Sequence, residues 1–269
     1  MIKNIESIAE IFRSKKARKI AVLVGAGISV NAGIPDFRSR SGVYSGLESP
    51  EKIFNIHHFR KNPQDFYNFA PKLRRPNTVP TLTHYFLGFL EHLELLSIVY
   101  SQNVDGLERK AGVTKLVQAH GNSQKAHCSL CYKEYSKSDL VIAMRSSQVL
   151  YCDCKGPIKP DVVFFGESLP SEFEENLEKI KTSDFMFIIG TSLSVRPFSS
   201  LVGKQGVVPR VVINKTHSEA FSKLGFDFTN KGPDNPDFLF TGDCDQILQD
   251  LIRQIGWEAS FSSFIKSNN

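Results

Sequence analysis

Apolar positions along this chain fall into short runs of two kinds. Ile5, Ile8, Ile11 and Phe12 recur at helical spacing, which predicts an amphipathic helix over 4–15. Residues 19–24 then form a β-branched, apolar run that ends in Gly25-Ala26-Gly27. Leu82, Tyr85, Phe86, Phe89, Leu90 and Leu93 return to helical spacing. A strand-like run over 97–101 precedes a polar turn and a helix-like stretch over 105–111. Runs over 185–189, 207–213 and 237–240 are again strand-like, and Asp243 opens a final helix carrying Ile247, Leu248, Leu251, Ile252 and Ile255. Uninterrupted apolar strands alternating with helices predict a parallel sheet covered on both faces, an α/β fold.

Two segments break this rhythm. Residues 45–75 are polar and hold Pro50, Pro63 and Pro71, so they read as short helices and loops. Residues 124–158 carry Cys128, Cys131, Cys152 and Cys154. Both read as insertions between sheet elements. This predicts one domain from 1–44, 76–123 and 159–269, and a small domain from 45–75 and 124–158. The Ser- and Asn-rich tail over 260–269 is expected to fray.

Charge narrows the field of partners. The net charge is +5, but residues 1–20 hold six bases against two acids, so the remainder is almost neutral. A nucleic-acid footprint spread over the fold is therefore not expected. The basic run over 14–19 reads as a solvated helix end or a weak address. No apolar run approaches the roughly 18 residues of a membrane span. The opening residues contain acids and no apolar stretch, so the expectation is a chain that is not secreted.

Candidate chemistry gathers at predicted strand ends, where open parallel sheets bind ligands. Gly25-Ala26-Gly27-Ile28-Ser29 is compatible with a phosphate turn leading into a helix start with free N–H groups, or with a purely structural turn. Val30 stands where the third glycine of the usual dinucleotide fingerprint belongs, and no acid follows at the end of a second strand, which disfavours a hydride-transfer enzyme. Asp36-Phe37-Arg38 follows Pro35, and Arg38 is suited to phosphate. Gln102-Asn103-Val104-Asp105 offers two amides and a carboxylate that suit a ribose or a carboxamide, alongside an ordinary helix cap. His120 ends a short apolar stretch and is a usable general base. Gly190-Thr191-Ser192 and Asn214-Lys215-Thr216 end later strands.

Taken together, GAGISVNAGIPDFR, SQNVDGLERKAG, AHGN, the cysteine module, KPDVVFFGE, GTSLSVRPF, INK and GDCD resemble the sirtuins in order and spacing, from Gly25 to Cys244. The resemblance implies a Rossmann-like NAD-binding domain with a small helical and zinc-binding domain. It implies NAD-dependent removal of acetyl or longer apolar acyl groups from protein lysines. The products would be free lysine, nicotinamide and O-acyl-ADP-ribose. It is closer to the cytoplasmic and nuclear branch than to the desuccinylases. On this resemblance Gly25, Ala26, Gly27, Ile28, Ser29 and Val30 would face NAD, as would Asp36, Phe37 and Arg38. Phe37 would shield the reacting sugar carbon. Gln102, Asn103, Val104 and Asp105 would hold the ribose and nicotinamide. Gly190, Thr191, Ser192, Asn214, Lys215, Thr216 and Cys244 would hold the adenosine end, and His120 would be the base. Val163, Phe164, Phe165 and Gly166 would form the substrate edge for acylated lysines, such as those of histone tails. Mono-ADP-ribosyl transfer and a non-enzymatic chromatin- or RNA-docking module are the alternatives.

The cysteine module departs from the family pattern. Cys128-x-x-Cys131 is a standard zinc half-site, but Cys152-Asp153-Cys154 has one intervening residue. A structural zinc held by all four cysteines is expected, with Cys152 as the displaced ligand and His127 or Asp153 as substitutes of lesser weight.

Overall fold

The structure is a computed structural model that describes residues 4–36, 42–43, 49–73, 75, 77–230, 232 and 235–268. Phe37 and Arg38 lie outside the described residues.

Nine strands occur among the described residues: β1 (Ile20–Val24), β2 (Leu96–Ser101), β3 (Leu116–Gln118), β4 (Gly121–Cys128), β5 (Glu134–Tyr135), β6 (Ile158–Val162), β7 (Phe185–Ile189), β8 (Arg210–Asn214) and β9 (Asp237–Thr241). Six of them form one sheet in the order β3-β2-β1-β7-β8-β9, with every pairing parallel. Counted along the sheet's own strands this is 3-2-1-4-5-6, the order of a dinucleotide-binding sheet, so the fold is Rossmann-like.

The reason lies in the alternation along the strands. Val22, Val24, Phe187 and Ile189 face one side, while Ala21, Leu23, Met186 and Ile188 face the other. All eight are completely buried, because helices cover both faces. The first face packs on α1 (Ile5–Arg13), whose Phe12 meets Phe185 edge-on at 5.4 Å and Trp257 at 5.3 Å. Burying each large apolar side chain contributes about 1.5–3 kcal/mol.

After α2 (Pro50–Ile53), α3 (Ile56–Lys61) and α4 (Pro63–Leu73) comes α5 (Leu82–His92), capped by Thr81. There follow α6 (Leu107–Lys110), α7 (Lys137–Arg145), α8 (Glu172–Glu175), α9 (Leu177–Lys181) and α10 (Glu219–Lys223). Next is α11 (Cys244–Ile255), where the Asp243 carboxylate accepts from the Gln246 N–H at 3.1 Å. Five of the described helices after α1, namely α3, α5, α7, α10 and α11, start at a side-chain cap.

The tail corrects an expectation. Residues 258–267 do not fray but form α12 (Glu258–Ser267). Phe261 is buried and its ring lies 5.2 Å from Phe89, while Phe264 lies 5.7 Å from the same ring. Phe261, Phe264 and Ile265 keep helical spacing among serines, so the polar composition concealed the apolar face.

The remaining strands form an antiparallel sheet in the order β5-β4-β6. It shares a separate core with α3, α4 and α7. Phe54, Phe59, Phe66 and Phe164 meet there at ring distances of 5.1–6.0 Å. The stretch over 45–75 is polar on average, but its described helices α3 and α4 are apolar on one side. Arg60 ties the two inserted segments together by donating to the Ser129 carbonyl at 2.6 Å and 3.1 Å.

Candidate active site

Strand order fixes where a ligand can sit. The neighbours of β1 are β2 and β7, whose connections leave in opposite directions, and a crevice opens beyond their carboxyl ends. Gly25, Gln102, Gly190 and Asn214 stand at or next to those ends. Gln102, Gly190 and Asn214 border a cleft of about 1780 Å³ that continues to the antiparallel sheet.

Two glycines make the crevice possible. A Cβ on Gly27 would lie 2.6 Å from the Gly190 Cα. Gly190 has φ +64°, and a Cβ there would lie 2.6 Å from the Ile28 nitrogen. The two backbones touch, and the Gly27 N–H donates to the Gly190 carbonyl at 2.8 Å. The following helix is a 3-10 helix over Ala26–Ala32. Its Gly27 and Ile28 N–H groups are already paired, with Gly190 and Gly25, so fewer free donors face the cleft than expected from the sequence.

Ala26, Gly27, Ser29, Val30 and Asp36 line the cleft, as do Gln102, Asn103, Val104 and Asp105. Gly190, Thr191, Ser192, Asn214, Lys215, Thr216 and Cys244 line it from the strand ends β7 and β8 and from α11. Two residues named from sequence stand behind it. Ile28 is 1% exposed and belongs to the sheet core, and Gly25 packs against Gln102 and Thr191. Cys244 is buried, and burial together with Asp243 and Asp245 pushes its thiol up to about 12, which leaves it unreactive.

Polar groups beneath the crevice are closely interlocked. The Ser29 hydroxyl donates to Asp105 Oδ2 at 2.8 Å. Asn103 is 5% exposed and its amide donates to the Gly25 carbonyl at 3.2 Å. Asp105 Oδ1 accepts from the Leu107 N–H, which starts α6. Thr191 donates to Gln102 Oε1 at 2.6 Å.

Sequence reasoning passed over His84 and Glu108. His84 is wholly buried, and the Thr81 N–H donates to its Nδ1 at 3.1 Å. Its Nε2 must therefore carry the proton, so it is a donor toward Ser29 and no metal ligand, although Asp105 and Glu108 lie close. A histidine inside an otherwise apolar helix was the available signal. Glu108 accepts from the Ser101 hydroxyl, while its second oxygen has no hydrogen-bond partner among the described residues.

Burial and the Asp105 carboxylate push Glu108 up to about 7. With the folded value above the unfolded one, stability falls as pH rises through that interval, and the full cost is present above pH 7. Glu108→Gln should thus raise Tm at pH 8, by about 2–4 °C for each kcal/mol recovered, and change it little at pH 4. Melts at both pH values check this; an identical shift at both would mean that Glu108 does not titrate there.

His120 occupies the mouth between the two sheets. Its Nδ1 lies 3.0 Å from the Gln102 carbonyl, which can only accept. Nδ1 therefore holds the proton and Nε2 keeps its lone pair, on a ring that lines the cleft. Burial lowers its basicity, partly opposed by the Gln102 contact, so the ring is neutral near pH 7. The backbone joins it to the next segment, because the Val163 N–H donates to the His120 carbonyl at 2.9 Å. Val163, Phe165 and Gly166 line the cleft, with Phe165 41% exposed. Phe164 borders it too, but its ring is 1% exposed and mainly fills the second core.

Family membership follows from comparison with known proteins. The Sir2 family model matches residues 25–197. The chain belongs to the Sir2 family. An NAD-dependent deacetylase, sir2A of Dictyostelium discoideum, is 42% identical over 98% of this chain and 54% of its own length. The NAD-dependent protein deacetylase hst2 of Schizosaccharomyces pombe is 39% identical over 99% of this chain and 80% of its own. The chain thus spans about half the length of the first relative and four-fifths of the second. A solved structure of a Sir2 enzyme, 27% identical, superposes with a TM-score of 0.80 over 95% of this chain and 99% of that one.

The Sir2 fold carries a second candidate centre in this chain. Cys128, Cys131, Cys152 and Cys154 place their sulfurs within 4.8 Å of one another. Individual separations are 3.4, 3.4 and 3.6 Å. A tetrahedral zinc with bonds of about 2.3 Å needs sulfurs about 3.8 Å apart, so the four thiols fit that ion. The shortened Cys152-Asp153-Cys154 spacing does not displace Cys152. Lys155 at φ +65° turns the chain back, and Gly156 approaches so closely that a Cβ would lie 2.5 Å from the Cys128 sulfur. His127 pairs instead with Asp161 at 3.0 Å and Asp153 with Lys133 at 2.7 Å. Among the described residues no helix is long and apolar enough to cross a membrane.

Proposed function

We propose that the cleft removes acetyl and longer apolar acyl groups from protein lysines at the expense of NAD, with His120 as general base. The chain is an NAD-dependent protein deacetylase of the Sir2 family, and the residue roles below are our assignment. The observation that carries it is the fixed tautomer of His120, whose bare Nε2 stands between the dinucleotide crevice and the Val163–Gly166 edge.

Bound NAD supplies a glycosidic bond whose rupture opens the ribose carbon to the acyl oxygen. The backbone at Ala26 and Gly27 accommodates the pyrophosphate, since only a methyl group and a hydrogen project from these two residues. Asn103 and Asp105, held by Gly25 and Ser29, orient the nicotinamide end without having to reorganise. On the family resemblance, Phe37 is assigned to shield the reacting sugar carbon, and Arg38, with Asp36, to face NAD. Thr191, Ser192, Asn214, Lys215, Thr216 and Cys244 hold the adenosine end. Val163 and Phe165 wall the acyl-lysine channel. His120 takes the ribose hydroxyl proton at Nε2, and the Gln102 carbonyl steadies the resulting cation at Nδ1.

The zinc is structural, since four protein thiolates leave no open position for a substrate. We divide the chain with 45–75 and 124–158 forming the small domain, whose sheet and core β6 and Phe164 complete from the larger one. Acylated proteins, histone tails among them, are the substrates, in the cytoplasm or nucleus.

The test is the mass of an acetyl-lysine peptide after incubation with and without NAD, with nicotinamide counted. Deacetylation that requires NAD and matches nicotinamide one for one is expected. Nicotinamide release with the acetyl group retained would replace the reading with ADP-ribosyl transfer or NAD hydrolysis.

A further inference from the structure

The segment presenting Val163 and Phe165 is held from beneath by buried charge. Lys159 is 1% exposed, a costly place for an ammonium unless it is paired and hydrogen-bonded. Its Nζ donates to the Val162 carbonyl at 2.6 Å and the Pro160 carbonyl at 3.3 Å, and pairs with Glu167 Oε2 at 3.0 Å. It also lies 4.6 Å from the centre of the Phe164 ring. Glu167 Oε2 in turn accepts from the Phe164 N–H at 2.8 Å, and the Glu167 N–H donates to the Phe164 carbonyl at 3.0 Å. One ammonium thus draws together both ends of the span from Val162 to Glu167.

The same span is tied outward on both sides. Val163 donates to the carbonyl of His120. Phe165 donates to the Phe54 carbonyl at 2.7 Å, and its own carbonyl accepts from Ile56 at 3.0 Å. The backbone between base and helical insertion is therefore short, and the Lys159–Glu167 pair sits under it. A buried ion pair is a weak source of stability compared with well-packed apolar residues. Its directional bonds do what apolar packing does not: they fix the Val162 carbonyl and the Phe164 amide relative to one another.

We propose that Lys159 and Glu167 are positioning residues for the acyl-lysine channel, setting the placement of Val163 and Phe165 and hence how tightly an acyl-lysine side chain is held. The inference rests on the deacetylase reading above. Glu167 borders the cleft beside Gly166 and Lys159 lies behind it, and the bonds named for both stay within 159–167, so the pair acts on peptide and not on NAD.

The experiment is steady-state kinetics on K159M/E167Q with an acetyl-lysine peptide and NAD. Methionine replaces the lysine stem, and glutamine keeps an acceptor oxygen for the Phe164 N–H, so no unpaired charge stays buried. The expected result is a Tm close to that of the wild type, a KM for NAD within about twofold, and a KM for peptide raised about tenfold. E167Q alone should shift the peptide KM the same way, by about threefold, and decides the matter if the double variant does not fold. An unchanged peptide KM would reduce the pair to a structural role and overturn the proposal. An equal rise for NAD and peptide would overturn it too, because the whole cleft would then have moved. Inactive wild-type protein would instead overturn the deacetylase reading itself.

Discussion

His120→Ala should lower kcat/KM for deacetylation by about 10²–10⁴-fold, the usual contribution of a general base, while Tm stays close to the wild-type value. The fold should survive because the ring is only partly buried and its hydrogen bond runs to the Gln102 carbonyl alone among the described contacts. His120→Asn is the sharper probe. It keeps an N–H near the position of Nδ1 but has no basic nitrogen at Nε2, so it separates holding the Gln102 carbonyl from accepting a proton. Both variants should lose comparable activity. Near-normal turnover in His120→Asn would remove the base assignment. The pH profile of the wild type carries the same argument. Burial lowers the His120 pKa, so the neutral base persists below the ordinary histidine value of about 6.5, and the acid limb of kcat/KM should lie under it.

Removing the metal is the other large effect. Four of the five cysteines form one four-sulfur cluster, so Cys152→Ser should lower bound zinc from one per chain to none and lower Tm by about 10 °C or more, as should chelation. Activity should fall with it for a topological reason. β4 begins immediately after His120 and ends at Cys128, where Cys128 pairs with Ile158 of β6. Continuing past β6, the chain becomes the Val163–Gly166 edge. Zinc therefore closes the far end of the sheet whose near end carries both the base and the substrate edge. Metal content by mass spectrometry, alongside melts, checks this. Full zinc retention in Cys152→Ser would mean that His127 or Asp153 leaves its partner and becomes the fourth ligand.

Much of this fold was legible because its signals are local. The all-apolar run at 185–189 became β7 with the same bounds, and Asp243 became the cap of α11. Boundaries drifted where the pattern ran on without punctuation. The run expected over 207–213 begins as a strand only at Arg210, because Val207 is 89% exposed and pairing starts opposite Met186. The tail was misread because serines diluted Phe261 and Phe264, whose partner Phe89 lies far away in the chain. The inserted helices were read as polar because their phenylalanines reveal a core only when Phe164 arrives from a distant segment.

By itself the sequence determined the strand-and-helix rhythm, the glycine turn after β1, the four thiols and the identity of the family. Each is written in neighbouring residues or in fixed spacings, and a short length of chain suffices to express it. Tertiary structure alone decided which of those residues meet. It set the tautomer of His120 through the Gln102 carbonyl, took Glu108 wholly out of water, brought Cys152 into the sulfur cluster and put Lys159 under the substrate edge. These contacts depend on strand order, crossovers and the depth of burial, and all three arise only when distant segments share one core.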